Sequence, residues 1–229
     1  SSAQDKMEFF QDMEEYESPV YDLTPEFMQE DFLFAYDYGY KFAEYLYGLG
    51  GFEAIDQAYA NPPRSTEQIL HPERYPDDTP VVIRLKDLTK ALGSGWREIE
   101  RNTLGEWYTY LMLAKSHDPD FRIDETLAQK AAEGWGGDQY LVYRHEEDEQ
   151  IALLYQSEWD TPADLNEFWE QFRSYGAKRW GDPVSSGSSF LRWNEDGRVV
   201  VMAKQLNTVL WIVADGENAY QSIAAAYPD

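Results

Sequence analysis

Tyr140-Leu141-Val142-Tyr143-Arg144-His145-Glu146-Glu147-Asp148-Glu149-Gln150-Ile151-Ala152-Leu153-Leu154-Tyr155 decides the fold. Two runs of β-branched, aliphatic and aromatic residues flank an acidic turn, the pattern of a β-hairpin. Downstream, Thr161-Pro162-Ala163-Asp164 starts a helix, with Thr161 as N-cap and Pro162 at N1. Its apolar stripe is Leu165, Phe168, Trp169 and Phe172, at i, i+3, i+4 and i+7. A Gly/Ser-rich loop from Gly181 to Ser189 leads to strands over 189–194, 198–205 and 207–214, with a hairpin turn at Glu195-Asp196-Gly197. A helix over 216–227 closes the chain. Residues 134–229 therefore predict an antiparallel sheet with two covering helices, both placed on one face.

Upstream the periodicity changes. Helices are expected over 3–16, over 26–47 behind Thr24-Pro25, and over 52–60 beyond Gly48, Gly50 and Gly51. Ser65 caps a further turn, with Gln68 completing a capping-box pattern, and His71-Pro72 stops it. Val81 to Leu85 reads as extended. Trp96, Ile99, Leu104, Trp107, Tyr108 and Leu111 predict one helix over 95–115. Asp124 or Thr126 opens another that ends at Gly134. The class is α+β. Residues 1–133 form a mainly helical region and residues 134–229 an antiparallel α+β region, packed together as one unit.

The chain has 229 residues, a formal charge of −24 and a pI of about 4.3. It has no basic stripe, so a phosphate backbone would repel it and nucleic-acid binding is not expected. Residues 1–37 carry eleven acids against one lysine, interleaved with Phe9, Phe10, Tyr16, Tyr21, Phe27, Phe32 and Phe34. A segment so aromatic is expected to pack on something. There are no cysteines, which removes disulfides, thiolate metal sites and Cys nucleophiles. No apolar run reaches the roughly 18 residues of a bilayer span.

Motifs for chemistry are sparse. His145-Glu146-Glu147-Asp148-Glu149 lacks the second His of H-E-x-x-H and sits in a turn. Asp118-Pro119-Asp120 starts like a calcium loop, but Arg122 and Ile123 fall where oxygen or Gly is needed. No G-x-S-x-G, G-x-G-x-x-G or Walker pattern occurs, and no complete catalytic or metal site is legible. Three strings stand out. Pro62-Pro63-Arg64-Ser65-Thr66-Glu67-Gln68-Ile69-Leu70-His71-Pro72-Glu73-Arg74-Tyr75 reads as a capped turn between prolines. Leu104-Gly105-Glu106-Trp107 puts a Gly where close packing or ligand approach would explain it. Gly134-Trp135-Gly136-Gly137-Asp138-Gln139-Tyr140 reads as a backbone bend with Trp135 beside it.

Together with Phe34-Ala35-Tyr36-Asp37-Tyr38-Gly39, Gly50-Gly51, Ile55-Asp56-Gln57-Ala58-Tyr59 and Trp159-Asp160, these strings resemble the C-terminal portion of an uncharacterised bacterial family of predicted zinc metallopeptidases. The resemblance covers roughly residues 19–175. In that family the H-E-x-x-H helix precedes the matching region, so it implies no cofactor in this chain and zinc only in a longer parent. The start at Ser1-Ser2, without Met, agrees with a processed or partial chain. The resemblance also implies an exported or cell-surface, extracytoplasmic location. The expected role is a non-catalytic part of a metallopeptidase-like protein that lines a peptide cleft. Glu67, Gln68, His71 and Glu106 are the candidate cleft or metal-supporting residues, and the partners are the metal-bearing region or a peptide or protein ligand. The alternative is a binding or scaffold module using aromatic residues for protein or glycan contact, with Trp135 as the candidate contact. A hydrolase built from acidic pairs is a third class, for which facing carboxylates in a pocket would be the sign.

Overall fold

The computed structural model describes residues 19–227. The helix expected over 3–16 lies outside them. The helical half contains α1 (Pro19–Asp22), α2 (Glu26–Ala60), α3 (Thr66–Leu70), a 3-10 turn (Pro72–Arg74) and α4 (Thr89–Leu92). In α2 the backbone leaves helical angles at Gly50 and Gly51, so two helical arms meet at the expected break. Then come β1 (Trp96–Asn102), α5 (Gly105–Ala114), a 3-10 turn (Pro119–Phe121) and α6 (Glu125–Ala132). The rest is β2 (Trp135–His145), β3 (Ile151–Trp159), α7 (Pro162–Trp180), β4 (Ser185–Ser186), β5 (Phe190–Glu195), β6 (Arg198–Gln205), β7 (Thr208–Asp215) and α8 (Glu217–Ala226).

The strands form one sheet in the order β1-β2-β3-β7-β6-β5-β4, with every neighbouring pair antiparallel. Two meanders, β1-β2-β3 and β4-β5-β6-β7, join where β7 pairs with β3 and Leu154 faces Ile212. The α+β class stands. Two local expectations do not.

Residues 95–115 are not one helix. Residues 96–102 form the edge strand β1, and only Gly105–Ala114 is helical. Trp96, Ile99 and Leu104 mimic helical spacing, but pairing with β2 supplies ladder hydrogen bonds that outweigh local propensity. Arg97, Glu100 and Arg101 leave this edge charged and exposed, which opposes pairing with a foreign strand. The first region thus contributes a strand to the sheet of the second.

The covering helices lie on opposite faces. β7 is apolar on both sides: Val209, Trp211 and Val213 face the core that holds α5, α6 and α7. Leu210 and Ile212 face a smaller core with Leu85, Leu88, Leu141, Tyr143, Leu154 and Ile223 of α8. A strand without one polar face needs a layer on each side. Residues 81–88 help to cover the second face. Val81 N–H donates to Gly136 O at 2.7 Å, and Leu88 N–H donates to the Tyr143 hydroxyl at 2.9 Å. The two segments run so close here that a Cβ on Gly137 would lie 2.4 Å from Val81 O.

The acidic start of the described chain is anchored. Phe27, Phe34 and Tyr38 pack on the main core. Buried Lys115 pairs with Glu26 at 2.9 Å, Glu30 at 3.2 Å and Glu125 at 2.6 Å, and Arg122 also reaches Glu26. Asp31 accepts from Trp107 Nε1 at 3.0 Å and from the Tyr108 hydroxyl at 2.7 Å. Among the described residues no helix is long and apolar enough to cross a membrane.

Candidate functional site

The site is built around α3. Ser65 Oγ accepts from Gln68 N at 3.3 Å, and the Gln68 carbonyl oxygen accepts from Arg64 N at 2.7 Å. These bonds close the turn as a variant of the capping box, with Arg64 in place of the N-cap donor. The Gln68 amide then donates to the carbonyls of Pro76 and Asp78, tying the following loop to α3. Gln68, 1% exposed, is therefore a brace for that loop.

α5 sits against α3 because Gly105 allows it. Its φ is +74°, and a Cβ there would meet Thr66 Oγ1 at 2.7 Å. That same Oγ1 accepts from Trp107 N at 3.2 Å. A Gly105→Ala chain should lose about 1–2 kcal/mol from the left-handed backbone alone, measurable as a lower urea midpoint.

The start of α5 is capped from another element. Asp138 on β2 accepts from Leu104 N and Gly105 N, each at 2.8 Å, and from Trp135 Nε1 at 2.7 Å. An anion at a helix N-terminus is favoured by the dipole and the free N–H groups. Burial still wins over these three donors and pushes the Asp138 carboxyl up. Trp135 is 1% exposed. Expected as a partner contact, it is instead a core residue spent on holding Asp138.

This packing brings His71, at the C-cap of α3, to Glu106 in the first turn of α5. His71 Nε2 lies 2.8 Å from Glu106 Oε1, with side chains 22% and 5% exposed. Glu106 Oε2 is buried without a hydrogen-bond partner. The Glu106 hydrogen bond raises the His71 pKa, while burial raises that of Glu106. Both shifts favour the protonated forms of the two groups. It lines a cavity of about 230 Å³ with Tyr38, Leu70, Trp107, Tyr110, Gln129, Ala132 and Glu133.

A second cluster backs α3. The Arg74 guanidinium contacts Glu67 directly, Asp160 at 3.3 Å and Asp78 at 3.6 Å. Glu67 is 1% exposed, and burial pushes its carboxyl up to about 8 against the pull of Arg74. Glu67, Asp78 and Asp160 bring carboxylate oxygens within 4.8 Å of one another, a spacing that suits a hard cation. Arg74 already supplies positive charge there.

Of the sequence candidates, Glu67, Gln68, His71 and Glu106 converge on α3 and α5, and His71 with Glu106 reaches the cavity. Arg74, Asp78, Asp138 and Asp160 were missed as participants. Arg74 lies in the 62–75 string, Asp138 in the 134–140 string and Asp160 beside Trp159, but no local spacing links them. His145 is the last residue of β2 rather than part of the turn, and pairs with Asp148 of that turn at 2.7 Å.

A family model described as Domain of unknown function (DUF8575) matches residues 91–224. The chain belongs to this family. The DUF8575 region runs from before β1 into α8, so it includes Glu106, Asp138 and Asp160. His71, Arg74 and Asp78 precede the DUF8575 region, and both clusters are assembled across its boundary. No curated protein and no solved structure matches the chain.

Proposed function

We propose that this chain is a non-catalytic binding unit whose cleft, bordered by α2, α3, α5 and α6, takes a segment of a peptide or protein. The observation that carries this reading is the cavity of about 230 Å³ walled by aromatic rings around the buried His71–Glu106 pair. Pockets that combine apolar walls with a few convergent polar groups are the usual form of a ligand site. No Ser, Thr or Tyr hydroxyl is hydrogen-bonded to His71 among the described residues, so the pair lacks the nucleophile that a His–carboxylate relay would serve. The likeness of residues 62–72 to predicted zinc metallopeptidases gives a context: the cleft would belong to a longer, extracytoplasmic protein whose metal-bearing region lies elsewhere.

The expected result is that the chain, loaded with zinc and then dialysed, keeps no stoichiometric metal and cleaves no peptide. It should nevertheless show peptide-induced NMR shifts at His71, Glu106 and Trp107. Retained zinc together with hydrolysis abolished by a chelator would overturn the non-catalytic reading, and peptide shifts confined to other residues would overturn the cleft.

A second reading, a scaffold surface, is favoured by α2. Phe32, Tyr36, Tyr40, Tyr47, Phe52 and Tyr59 are exposed along it, from 52% to 84%. Of the sheet's tryptophans, Trp135, Trp159 and Trp193 are each 1% exposed, while Trp211 is half-buried. Under this reading protein contact runs along the acidic, aromatic helix and leaves the cavity free.

A further inference from the structure

We infer that the cavity beside α3 and α5 selects a cationic side chain, a lysine ammonium or arginine guanidinium presented by a peptide, and exchanges it for the proton shared by His71 and Glu106. This rests on the cleft reading above and adds the chemistry of the group that enters.

Four observations converge. First, Glu106 is 4% exposed and one of its oxygens has no partner. A buried carboxylate oxygen left unmatched is costly, and a donor arriving through the cavity would match it. Second, the cavity's charged groups are His71, Glu106 and Glu133; Arg74 lies outside it, committed to Glu67, Asp78 and Asp160. With His71 neutral, both remaining charges are carboxylates. Third, three rings line the same space: Tyr38 and Trp107 have centroids 5.2 Å apart, and Trp107 and Tyr110 5.4 Å apart. Aromatic faces beside carboxylates attract ammonium and guanidinium groups. Fourth, the volume of about 230 Å³ suits the end of one side chain and not a folded segment.

The 2.8 Å contact joins the two groups, and both shifts favour an extra proton on the pair in the free chain. In the free chain the proton between His71 Nε2 and Glu106 Oε1 neutralises the buried carboxylate. The incoming cation takes over that neutralisation, the proton leaves to solvent, and neutral His71 remains as a hydrogen-bonding wall. The groups that face His71 are Glu106 on α5, Arg74 on the adjoining 3-10 turn and Glu133 after α6. Arg74 works against protonation of His71, and the two glutamates work for it. Because one proton is released on binding, affinity rises with pH, by up to about tenfold per pH unit while the pair is protonated, and levels off above its titration.

The test uses the ¹⁵N-labelled chain and the peptides acetyl-Gly-Ser-X-Ser-Gly-amide, with X as lysine, arginine, norleucine or glutamate, at pH 6.0, 7.0 and 8.5. The lysine or arginine peptide should shift His71, Glu106 and Trp107 resonances with a Kd at least tenfold below that of the norleucine peptide. Its Kd should fall as pH rises. Glu106→Gln should remove both the cation preference and its pH dependence, whereas His71→Gln, which leaves burial alone acting on Glu106, should move the rise in affinity to higher pH. Glu133→Gln, at an exposed position, should weaken binding severalfold without altering the circular dichroism spectrum. Norleucine binding as tight as lysine would overturn the cation preference and leave the cleft standing. Lysine binding that ignores pH would overturn the proton exchange. If no peptide shifts these resonances, the cleft itself falls.

Discussion

An Asp138→Ala chain is expected to unfold about 3–5 kcal/mol more easily than the native chain. The substitution strands Leu104 N–H, Gly105 N–H and Trp135 Nε1–H together, and at buried Gly105 and Trp135 water does not replace the lost acceptor. At this chain length the loss should lower Tm by about 6–20 °C. Asp138→Asn should fall between the two, because its oxygen keeps one or two of the donors while its NH₂ group faces the remainder. The consequence reaches the cleft. Asp138 fixes the start of α5, and Glu106 is the next residue along, so the His71 resonance should lose its coupling to Glu106 in the alanine chain. Urea unfolding followed by tryptophan fluorescence, with a His71 titration by NMR, reads both. A loss under about 1 kcal/mol would show that α5 is held by its packing alone.

The cap on α5 also marks where sequence reading ran out. Pro62–Tyr75 and Leu104–Trp107 were conspicuous because prolines and an ill-placed glycine interrupt otherwise regular patterns, and these strings did carry His71, Glu67 and Glu106. Capping and periodicity are local, so the starts of α3 at Ser65 and of α7 at Thr161 were legible, as was the buried stripe of α7, and Asp124 was one of the two starts read for α6. Asp138 capping a helix 33 residues earlier, or Arg74 reaching Asp160 across 86 residues, has no trace in spacing. In a chain with 43 acids, no single carboxylate stands out as the one that will be buried.

β1 was lost for the opposite reason. Its residues suit a helix locally, and only the partner strand β2 makes them a strand. The placement of α8 depended on β7 being apolar on both faces. Its run of Val209 to Ala214 is continuous, and continuous runs carry no period from which to assign a single buried side. Of the acidic residues 1–37 that were expected to pack, the described part does so through Phe27 and Phe34, with Lys115 and Arg122 as counter-charges to Glu26.

Arg74→Met should produce the other large effect, and its size should depend on pH. The methionine keeps bulk but leaves Glu67, Asp78 and Asp160 facing one another, with Glu67 buried. At pH 8.5 the expected loss is about 3 kcal/mol, the usual order for removing one partner of a buried ion pair. At pH 5 it should be far smaller. In the native chain burial already lifts Glu67 to about 8, well above its unfolded value near 4.5. The folded state therefore binds more protons between those limits. The contribution of Glu67 to stability is fully present below pH 4.5 and declines as pH rises through 8. Removing Arg74 takes away the influence that holds this value down, so the decline should extend above pH 8. Urea midpoints from pH 5 to 9 test this, and an equal loss at both ends would mean that Arg74 contributes packing only. Millimolar calcium provides a second reading. Three carboxylates within 4.8 Å and no guanidinium between them form an oxygen donor set, so calcium should recover part of the loss at pH 8.5 in Arg74→Met and leave the native chain unchanged.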